Sequence, residues 1–183
     1  MLGNIHRNEN IFVKENKIFW THSGPEKVII SKAVRGSIVN KQVRIILVYM
    51  SVETKSEDKE RNEKIKREID EKLEENQDTA IMLLGDFNGH VGFLGRQKVD
   101  RNGRFATEMM NNNKMILLNC DDKCDGIYTW GSKEYRSAID YVLVNSNMYQ
   151  SVHKMTIDEH QEHLDLSDHN VIQGWKSCRL LDF

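Results

Sequence analysis

The sequence predicts an α/β domain in which two β-sheets pack face to face and helices lie outside. Residues 45–49 (Ile-Ile-Leu-Val-Tyr) and 80–84 (Ala-Ile-Met-Leu-Leu) are apolar without a polar break, which is typical of strands buried on both faces. Between them, the charged stretch 54–75 carries apolar residues at helical spacing. About eight strands and two helices are expected in all, and 183 residues suit a single domain.

Several short strands are expected before residue 43. A polar turn at residues 15–17 separates the first two, and residues 40–42 are the expected hairpin connection into the run 43–49. The four strand patterns lie at residues 11–13, 18–20, 28–30 and 37–39.

The charged stretch 54–75 is predicted to be a solvated helix that packs on the sheet. Ile65, Ile69 and Leu73 recur every four residues and form one narrow apolar stripe. Acid-then-base pairs at four-residue spacing each stabilise such a helix by about 0.2–0.5 kcal/mol. Because the charges alternate in sign instead of forming a basic block, a solvent-facing helix is favoured over one that binds nucleic acid.

Beyond the second apolar run, one more helix and several strands are expected. Residues 100–103 (Asp-Arg-Asn-Gly) suggest a turn, and residues 104–113 a short helix whose Phe105, Met109 and Met110 face inward. The strand patterns lie at residues 115–118, 128–130, 138–144, 152–157 and 171–175.

Composition argues against several classes of protein. Lys and Arg (26) nearly balance Asp and Glu (28), and a formal net charge of −2 does not indicate a basic protein that coats nucleic acid. Cys120, Cys124 and Cys178 cannot all pair, and the first two lack zinc-knuckle spacing, which indicates a reduced intracellular setting. No apolar run approaches the roughly 18 residues of a membrane span, so no membrane partner is expected.

Polar side chains are found at four ends of the predicted buried strands. They are Tyr49, Asp86 with Asn88, Asp140, and Asp168 with His169. Because two of these places follow a strand and two begin one, they meet at one rim only if the later strands run antiparallel to the earlier ones. Carboxylates, a histidine and an amide at one rim suit hydrolysis of a phosphate ester with a divalent ion. Neither a Gly-x-Ser-x-Gly elbow nor a Walker loop is present, which argues against serine hydrolases and P-loop nucleotide hydrolases.

Three of these places lie in motifs that resemble the endonuclease/exonuclease/phosphatase superfamily, which includes deoxyribonuclease-I-like and apurinic-site endonucleases. In order, the motifs are residues 83–88 (Leu-Leu-Gly-Asp-Phe-Asn), 137–144 (Ser-Ala-Ile-Asp-Tyr-Val-Leu-Val) and 167–169 (Ser-Asp-His). Three flanking segments narrow the resemblance to the endonuclease domain of non-LTR retrotransposons and to host proteins called craniofacial development protein 2-like. The flanking segments are residues 89–92 (Gly-His-Val-Gly), 100–104 (Asp-Arg-Asn-Gly-Arg) and 128–130 (Tyr-Thr-Trp). The implied fold is the deoxyribonuclease-I-like sandwich.

The resemblance implies a role for each site residue. Asp86 would orient and deprotonate the attacking water, and Asn88 would donate to the scissile phosphate. Asp140 would hold the imidazole of His169, which would stabilise the phosphorane-like transition state. Tyr49 would contact the phosphate, although packing at the strand end explains this tyrosine equally well.

The resemblance also implies a cofactor and a partner. The cofactor would be Mg²⁺ or Mn²⁺, with Asp168 as a metal-linked carboxylate, and the partner would be DNA. An intracellular protein is expected, with the nucleus as its candidate compartment.

One departure from the family pattern leaves the activity open. The family carries an Asn on its first strand and a metal-binding Glu on a later strand, both well upstream of its tyrosine. Only 48 residues precede Tyr49 here, and none of Glu9, Glu15 and Glu26 lies in a matching context. Residues 1–183 are therefore expected to form a single incomplete domain that lacks the first strands and is weakly active or inactive alone. Two alternatives are a phosphatase acting on a small phosphoester or lipid head group, and a non-catalytic fragment that serves as a binding module.

Overall fold

Two five-stranded sheets, one two-stranded sheet, three α-helices and one short 3₁₀ helix are the regular elements of the described residues. The computed structural model describes residues 9–14, 17–22, 30–34, 43–75, 78–95, 98–132, 134–160 and 168–176. The strands are β1 (Glu9–Lys14), β2 (Lys17–His22), β3 (Ile30–Val34), β4 (Val43–Tyr49), β5 (Ala80–Asp86), β6 (Ile116–Leu117), β7 (Cys124–Asp125), β8 (Trp130–Gly131), β9 (Arg136–Ser137), β10 (Asp140–Val144), β11 (Val152–Ile157) and β12 (Ile172–Lys176). The helices are α1 (Ser56–Glu74), α2 (Arg101–Asn112) and α3 (Ser146–Tyr149).

The first sheet contains β3, β4, β5, β10 and β6 in that spatial order. β4 and β5 run parallel with α1 as the connection between them, since parallel neighbours need a crossover to reach the same edge again. β10 runs antiparallel to β5 on its other side. β5 is buried along its whole length and β4 over residues 45–48, as the unbroken apolar runs predicted.

The second sheet contains β1, β2, β12, β11 and β7 in that order and packs against one face of the first. The shared core includes Leu47, Met82 and Val142 from the first sheet, and Met155 and Ile172 from the second. The opposite face of the first sheet is covered by α1 and α2. The predicted two-sheet α/β sandwich is confirmed.

The two longer helices bury the stripes that their spacing predicted. α1 buries Ile65, Ile69 and Leu73, and α2 buries Phe105 and Met109 while Met110 is only half-buried. None of the three helices in the described segments combines the length and apolar composition that crossing a membrane requires.

The start of α2 differs from its prediction. Residues 100–103 are not a separate turn, because the helix begins at Arg101 and Asp100 is its N-cap. The Asp100 side chain accepts a hydrogen bond from the Gly103 backbone N–H at 2.8 Å, which satisfies a donor of the first helical turn.

Several strand boundaries also differ from their predictions. Residues 115–118 contain only the two-residue strand β6 and then enter a 3₁₀ turn at Leu118–Cys120. The strand expected over 138–144 begins at Asp140, and β3 extends to Val34. About eight strands were expected and twelve are present among the described residues. No pattern predicted β7 or β9, because two residues are too few to show a period. The patterns at 37–39 and 40–42 lie outside the described residues.

Candidate active site

β5 ends in a tight turn, residues 86–88, which we call the Asp86 turn. Gly85 allows β4 and β5 to pair closely before it, since a Cβ there would lie 1.9 Å from the carbonyl oxygen of Val48. Asn88 has a φ of 45°, in the left-handed region that Asn tolerates better than most residues. Its backbone N–H donates to Asp86 Oδ1 at 2.8 Å, so the carboxylate closes the turn.

Strand pairing brings two further polar residues to the same edge of the sheet. Asp140, the first residue of β10, lies opposite Asp86 in the antiparallel register. Tyr49, the last residue of β4, lies beside Asp86 in the parallel register and is half-buried. The ends of β4 and β5 and the beginning of β10 thus meet at one rim. The antiparallel direction of β10 is what the sequence analysis required for these polar groups to lie together.

His169 reaches this rim from the segment before β12. Its backbone forms a single antiparallel bridge with Trp130. Its Nδ1 lies 3.1 and 3.0 Å from the two carboxylate oxygens of Asp140. The Asp140 side chain is fully buried and that of His169 is 12% exposed, so the imidazole is the accessible member of the pair.

The charges of these three groups depend on one another. Burial, and after it the charge of Asp140, raises the pKa of Asp86 to about 8 against the opposing effects of His169 and the Asn88 hydrogen bonds. Burial lowers the pKa of His169, but the hydrogen bond to Asp140 and the charges of Asp140 and Asp86 outweigh it and raise this pKa to about 9. At neutral pH the imidazole is therefore protonated and neutralises one buried carboxylate.

Asp86, Asp140 and His169 form the one group of three or more candidate metal ligands found among the described residues. One ligand atom from each lies within 4.8 Å of the others. A hard divalent cation prefers oxygen ligands, and two carboxyl groups this close together are the donor set that such a cation would require. Asp168 lies outside this group, and its carboxylate accepts the indole N–H of Trp130 at 2.7 Å.

The side-chain amide of Asn88 donates two hydrogen bonds within the protein. One goes to the carbonyl oxygen of Met50 at 2.8 Å and the other to Asp86 Oδ2 at 2.9 Å. Together with the backbone N–H of Asn88, these bonds orient the Asp86 carboxylate. The role predicted for Asn88, donation to the scissile phosphate, would require one of the two side-chain bonds to be exchanged.

Two buried residues that sequence reasoning does not identify hold the start of β10. Thr129 Oγ1 accepts hydrogen bonds from the backbone N–H groups of Ile139 and Asp140, at 3.0 and 2.9 Å. The amide of Asn119 donates to the Asp140 carbonyl at 3.0 Å and accepts from the Val142 N–H at 2.8 Å, as a neighbouring strand would. Thr129 lies in the flanking segment 128–130 of the resemblance, whereas the only sequence signal for Asn119 is a polar residue after an apolar run.

His90 connects the chain after the Asp86 turn to two other segments. Its Nδ1 lies 2.8 Å from Asp100 Oδ2, and its Nε2 lies 2.8 Å from Ser137 Oγ. The order Asp–His–Ser is that of a hydrolase triad. Ser137 is only 4% exposed, which keeps its hydroxyl from substrate, so this arrangement is structural and does not support acyl transfer.

The chain is similar in sequence to one known family and in structure to several solved proteins. A family described as endonuclease-reverse transcriptase matches residues 43–173. The 3′ phosphatase NExo from Neisseria, bound to a product DNA hairpin, has a similar structure: 16% identity, 88% of this chain, 65% of that chain and a TM-score of 0.57. A search of curated proteins gives no match.

Two further solved structures share the fold. The endonuclease domain of TRAS1, a telomere-specific non-LTR retrotransposon, is 18% identical over 91% of this chain and 66% of that chain, with a TM-score of 0.55. The Xenopus laevis APE2 catalytic domain is 16% identical over 75% of this chain and 50% of that chain, with a TM-score of 0.57. The chain therefore spans two thirds or less of these structures. The likeness confirms the predicted deoxyribonuclease-I-like fold.

Proposed function

Because the chain belongs to the endonuclease-reverse transcriptase family, we propose that it is a divalent-metal-dependent phosphodiesterase that cleaves DNA. The observation that carries the proposal is the convergence of Asp86, Asp140 and His169 at one rim of the first sheet. The structural likeness to an endonuclease domain and to the APE2 catalytic domain supports nuclease chemistry.

In the proposed reaction Asp86 orients the attacking water and takes its proton. With a pKa of about 8 the carboxyl group holds its own proton at neutral pH in the absence of a cation, and positive charge beside it favours the carboxylate. The water oxygen then forms a bond to phosphorus while the bond from phosphorus to the leaving sugar oxygen breaks, and that oxygen takes a proton from solvent water. Asn88 keeps the Asp86 carboxylate oriented through the two bonds described above.

His169 stabilises the charge that develops on the phosphoryl oxygens. Its pKa of about 9 makes it an imidazolium at neutral pH, and a charged N–H donor in a largely buried site is an effective partner for an oxyanion. Asp140 fixes the orientation of the ring through Nδ1. Tyr49 is proposed to contact the phosphate, which its position beside Asp86 supports.

The Asp168 carboxylate would hold Mg²⁺ or Mn²⁺ beside the group of Asp86, Asp140 and His169, whose carboxylates would also attract the ion. The bound ion would supply positive charge to the phosphate oxygens. Within the described residues the candidate ligand group contains no glutamate, and Mg²⁺ sites rely on few but well-placed carboxylates. We therefore propose that turnover by this chain is slow.

A phosphatase is the second candidate. The observation in its favour is the likeness to NExo, which is a 3′ phosphatase and is matched over 88% of this chain. The same carboxylates and histidine would serve for a phosphate monoester, because water attacks phosphorus in both reactions. A phosphodiesterase breaks a bond within the DNA strand, whereas a phosphatase removes a terminal phosphate. Diester and monoester substrates therefore distinguish the two candidates.

A cleavage assay tests the proposed function. The chain is incubated with supercoiled plasmid, with duplex DNA containing an abasic site and with a 3′-phosphorylated oligonucleotide, in Mg²⁺, in Mn²⁺ or in EDTA. We expect slow, ion-dependent nicking that falls by at least about 100-fold in Asp86→Asn and in His169→Gln, because each removes a group involved in proton transfer or charge stabilisation.

The exposed residues Asp125 and His153 provide matched controls. Asp125→Asn and His153→Gln are expected to cleave as the wild type does. Release of phosphate without nicking would favour the phosphatase. DNA binding without cleavage, or equal cleavage by wild type and both site variants, would contradict the proposed function.

A further inference from the structure

Two buried asparagines on the outer helices connect those helices to the Asp86 turn. Asn62 on α1 is 2% exposed and Asn102 on α2 is 4% exposed. Asn62 pairs with the backbone of Ser51, accepting from its N–H at 2.9 Å and donating to its carbonyl at 2.8 Å. A neighbouring β-strand would form the same pair of hydrogen bonds with the Ser51 backbone. α1 therefore holds the chain directly after β4.

Asn102 completes the connection to the turn itself. Its amide nitrogen donates to the carbonyl oxygens of Ser51 at 3.1 Å and Asn88 at 3.3 Å. Its Oδ1 accepts a hydrogen bond from the amide nitrogen of Asn62 at 3.1 Å. Both side-chain amides therefore donate two hydrogen bonds and accept one, and a buried network without an unpaired amide group strongly favours one arrangement of its members.

The segment that these amides hold is in direct contact with the reacting groups. The Met50 N–H donates to the Asp86 carbonyl at 2.8 Å. The Met50 carbonyl accepts one of the side-chain N–H bonds of Asn88, whose other N–H holds the Asp86 carboxylate. A displacement of Ser51 or of the Asn88 carbonyl would therefore move the Asp86 carboxylate.

The first turn of α2 is also pressed against the chain that follows the Asp86 turn. A Cβ on Gly89 would lie 2.5 Å from Asn102 Cβ, and a Cβ on Gly103 would lie 1.9 Å from the carbonyl oxygen of His90. The Asp100 carboxylate also accepts a hydrogen bond from the His90 backbone N–H at 3.0 Å. The close approach leaves Asn102 little freedom to take another position.

We infer that Asn102, supported by Asn62, is a positioning residue that holds Asn88 and the Met50–Ser51 backbone so that they orient the Asp86 carboxylate. The catalytic consequence rests on the proposed function, whereas the structural consequence rests only on the described contacts. Residues 100–103 (Asp-Arg-Asn-Gly) thus support the site from behind, although none of their side chains belongs to the group of candidate metal ligands.

Kinetics of two Asn102 variants and one matched control test the catalytic consequence. Asn102→Ala removes the side-chain amide, and Asn102→Asp keeps its size but removes both N–H donors. We expect kcat to fall by about tenfold to 100-fold with KM unchanged, as for other residues that support a site from behind. Asn113→Ala is the control, because Asn113 also joins α2 to α1, through Asp70 at 3.3 Å, but far from the turn. Its kcat is expected to match the wild type.

Hydrogen exchange followed by NMR tests the structural consequence without any need for turnover. The backbone N–H of Asn88, bonded to Asp86 Oδ1, is expected to exchange about tenfold faster in both Asn102 variants and at the wild-type rate in Asn113→Ala. If the wild type cleaves no substrate, the proposed function fails and exchange alone decides the inference.

Three results would overturn the inference. They are unchanged exchange at Asn88 in both Asn102 variants, an equal increase in Asn113→Ala, and unfolding of both Asn102 variants at low temperature. Unfolding would mean that Asn102 supports the fold as a whole and not the position of the Asp86 turn.

Discussion

The two halves of the candidate site are built in different ways. The turn half, Asp86 with Asn88, comes from one short turn. The Asn102 amide of α2 donates to the Asn88 carbonyl, and the Asn62 amide of α1 donates to Asn102. The histidine half, Asp140 with His169, joins residues 29 positions apart and is held by sheet pairing and by Thr129. The comparison shows that one half is a local structure, whereas the other exists only once distant segments have packed.

The halves also differ in the layers that they connect. The turn half lies on the first sheet and contacts the helices that cover its outer face. In the histidine half, Asp140 belongs to the first sheet, whereas His169 lies directly before β12 of the second. The pair therefore joins the two sheets at the rim, and it depends on the assembled sandwich in a way that the turn half does not.

The largest effect that separates the halves is expected from Thr129→Val. The substitution keeps the shape of the side chain but leaves the buried N–H groups of Ile139 and Asp140 without their acceptor. We expect the free energy of unfolding in urea to fall by about 2 kcal/mol or more, since each orphaned buried donor costs about 1–3 kcal/mol. Cleavage is expected to fall by about tenfold or more because Asp140 and His169 move.

Thr107→Val is the control for this prediction. The Thr107 hydroxyl is half-buried and only donates to the Gly103 carbonyl within α2, at 3.0 Å. Its loss is expected to leave cleavage unchanged. Hydrogen exchange at Asn88 should stay at the wild-type rate in Thr129→Val, and faster exchange there would show that the halves do not have separate supports.

The same contrast explains what the sequence could predict. The apolar run 80–84 followed by Asp86 and Asn88 is contiguous, so its position at a rim follows from local pattern. The pairing of Asp140 with His169 requires β10 to be antiparallel to β5, which is a matter of topology that no local period contains. The residues behind the site, Asn62, Asn102, Asn119 and Thr129, are buried polar side chains whose partners are distant in sequence. Their roles could therefore be recognised only in the folded chain.

A smaller effect is expected in the dependence of stability on pH. The raised pKa of Asp86, about 8, means that the folded state binds this proton more tightly than the unfolded state does. Its stabilising effect is present at low pH and is lost as pH rises from about 4 towards 8. The raised pKa of His169 acts in the same direction, and its contribution is lost as pH rises through about 9.

Urea unfolding without metal, at pH 5, 7, 8 and 9.5, measures these contributions. We expect wild-type stability to decline across this range and the decline below pH 8 to be shallower in Asp86→Asn, by about 1 kcal/mol or more. His169→Gln should instead flatten the part between pH 7 and 9.5. The exposed-site variant Asp125→Asn should follow the wild-type curve, and parallel curves for all four proteins would contradict the charge coupling described here.

An NMR titration of the His169 imidazole, without metal, tests most directly whether the two halves form one site. We predict a midpoint of about 9 in the wild type, a fall towards about 6.5 in Asp140→Asn and a smaller fall in Asp86→Asn. The first fall reflects the hydrogen bond and charge of Asp140, and the second the charge of Asp86. A wild-type midpoint near 6.5 that neither substitution changes would show that the halves do not interact.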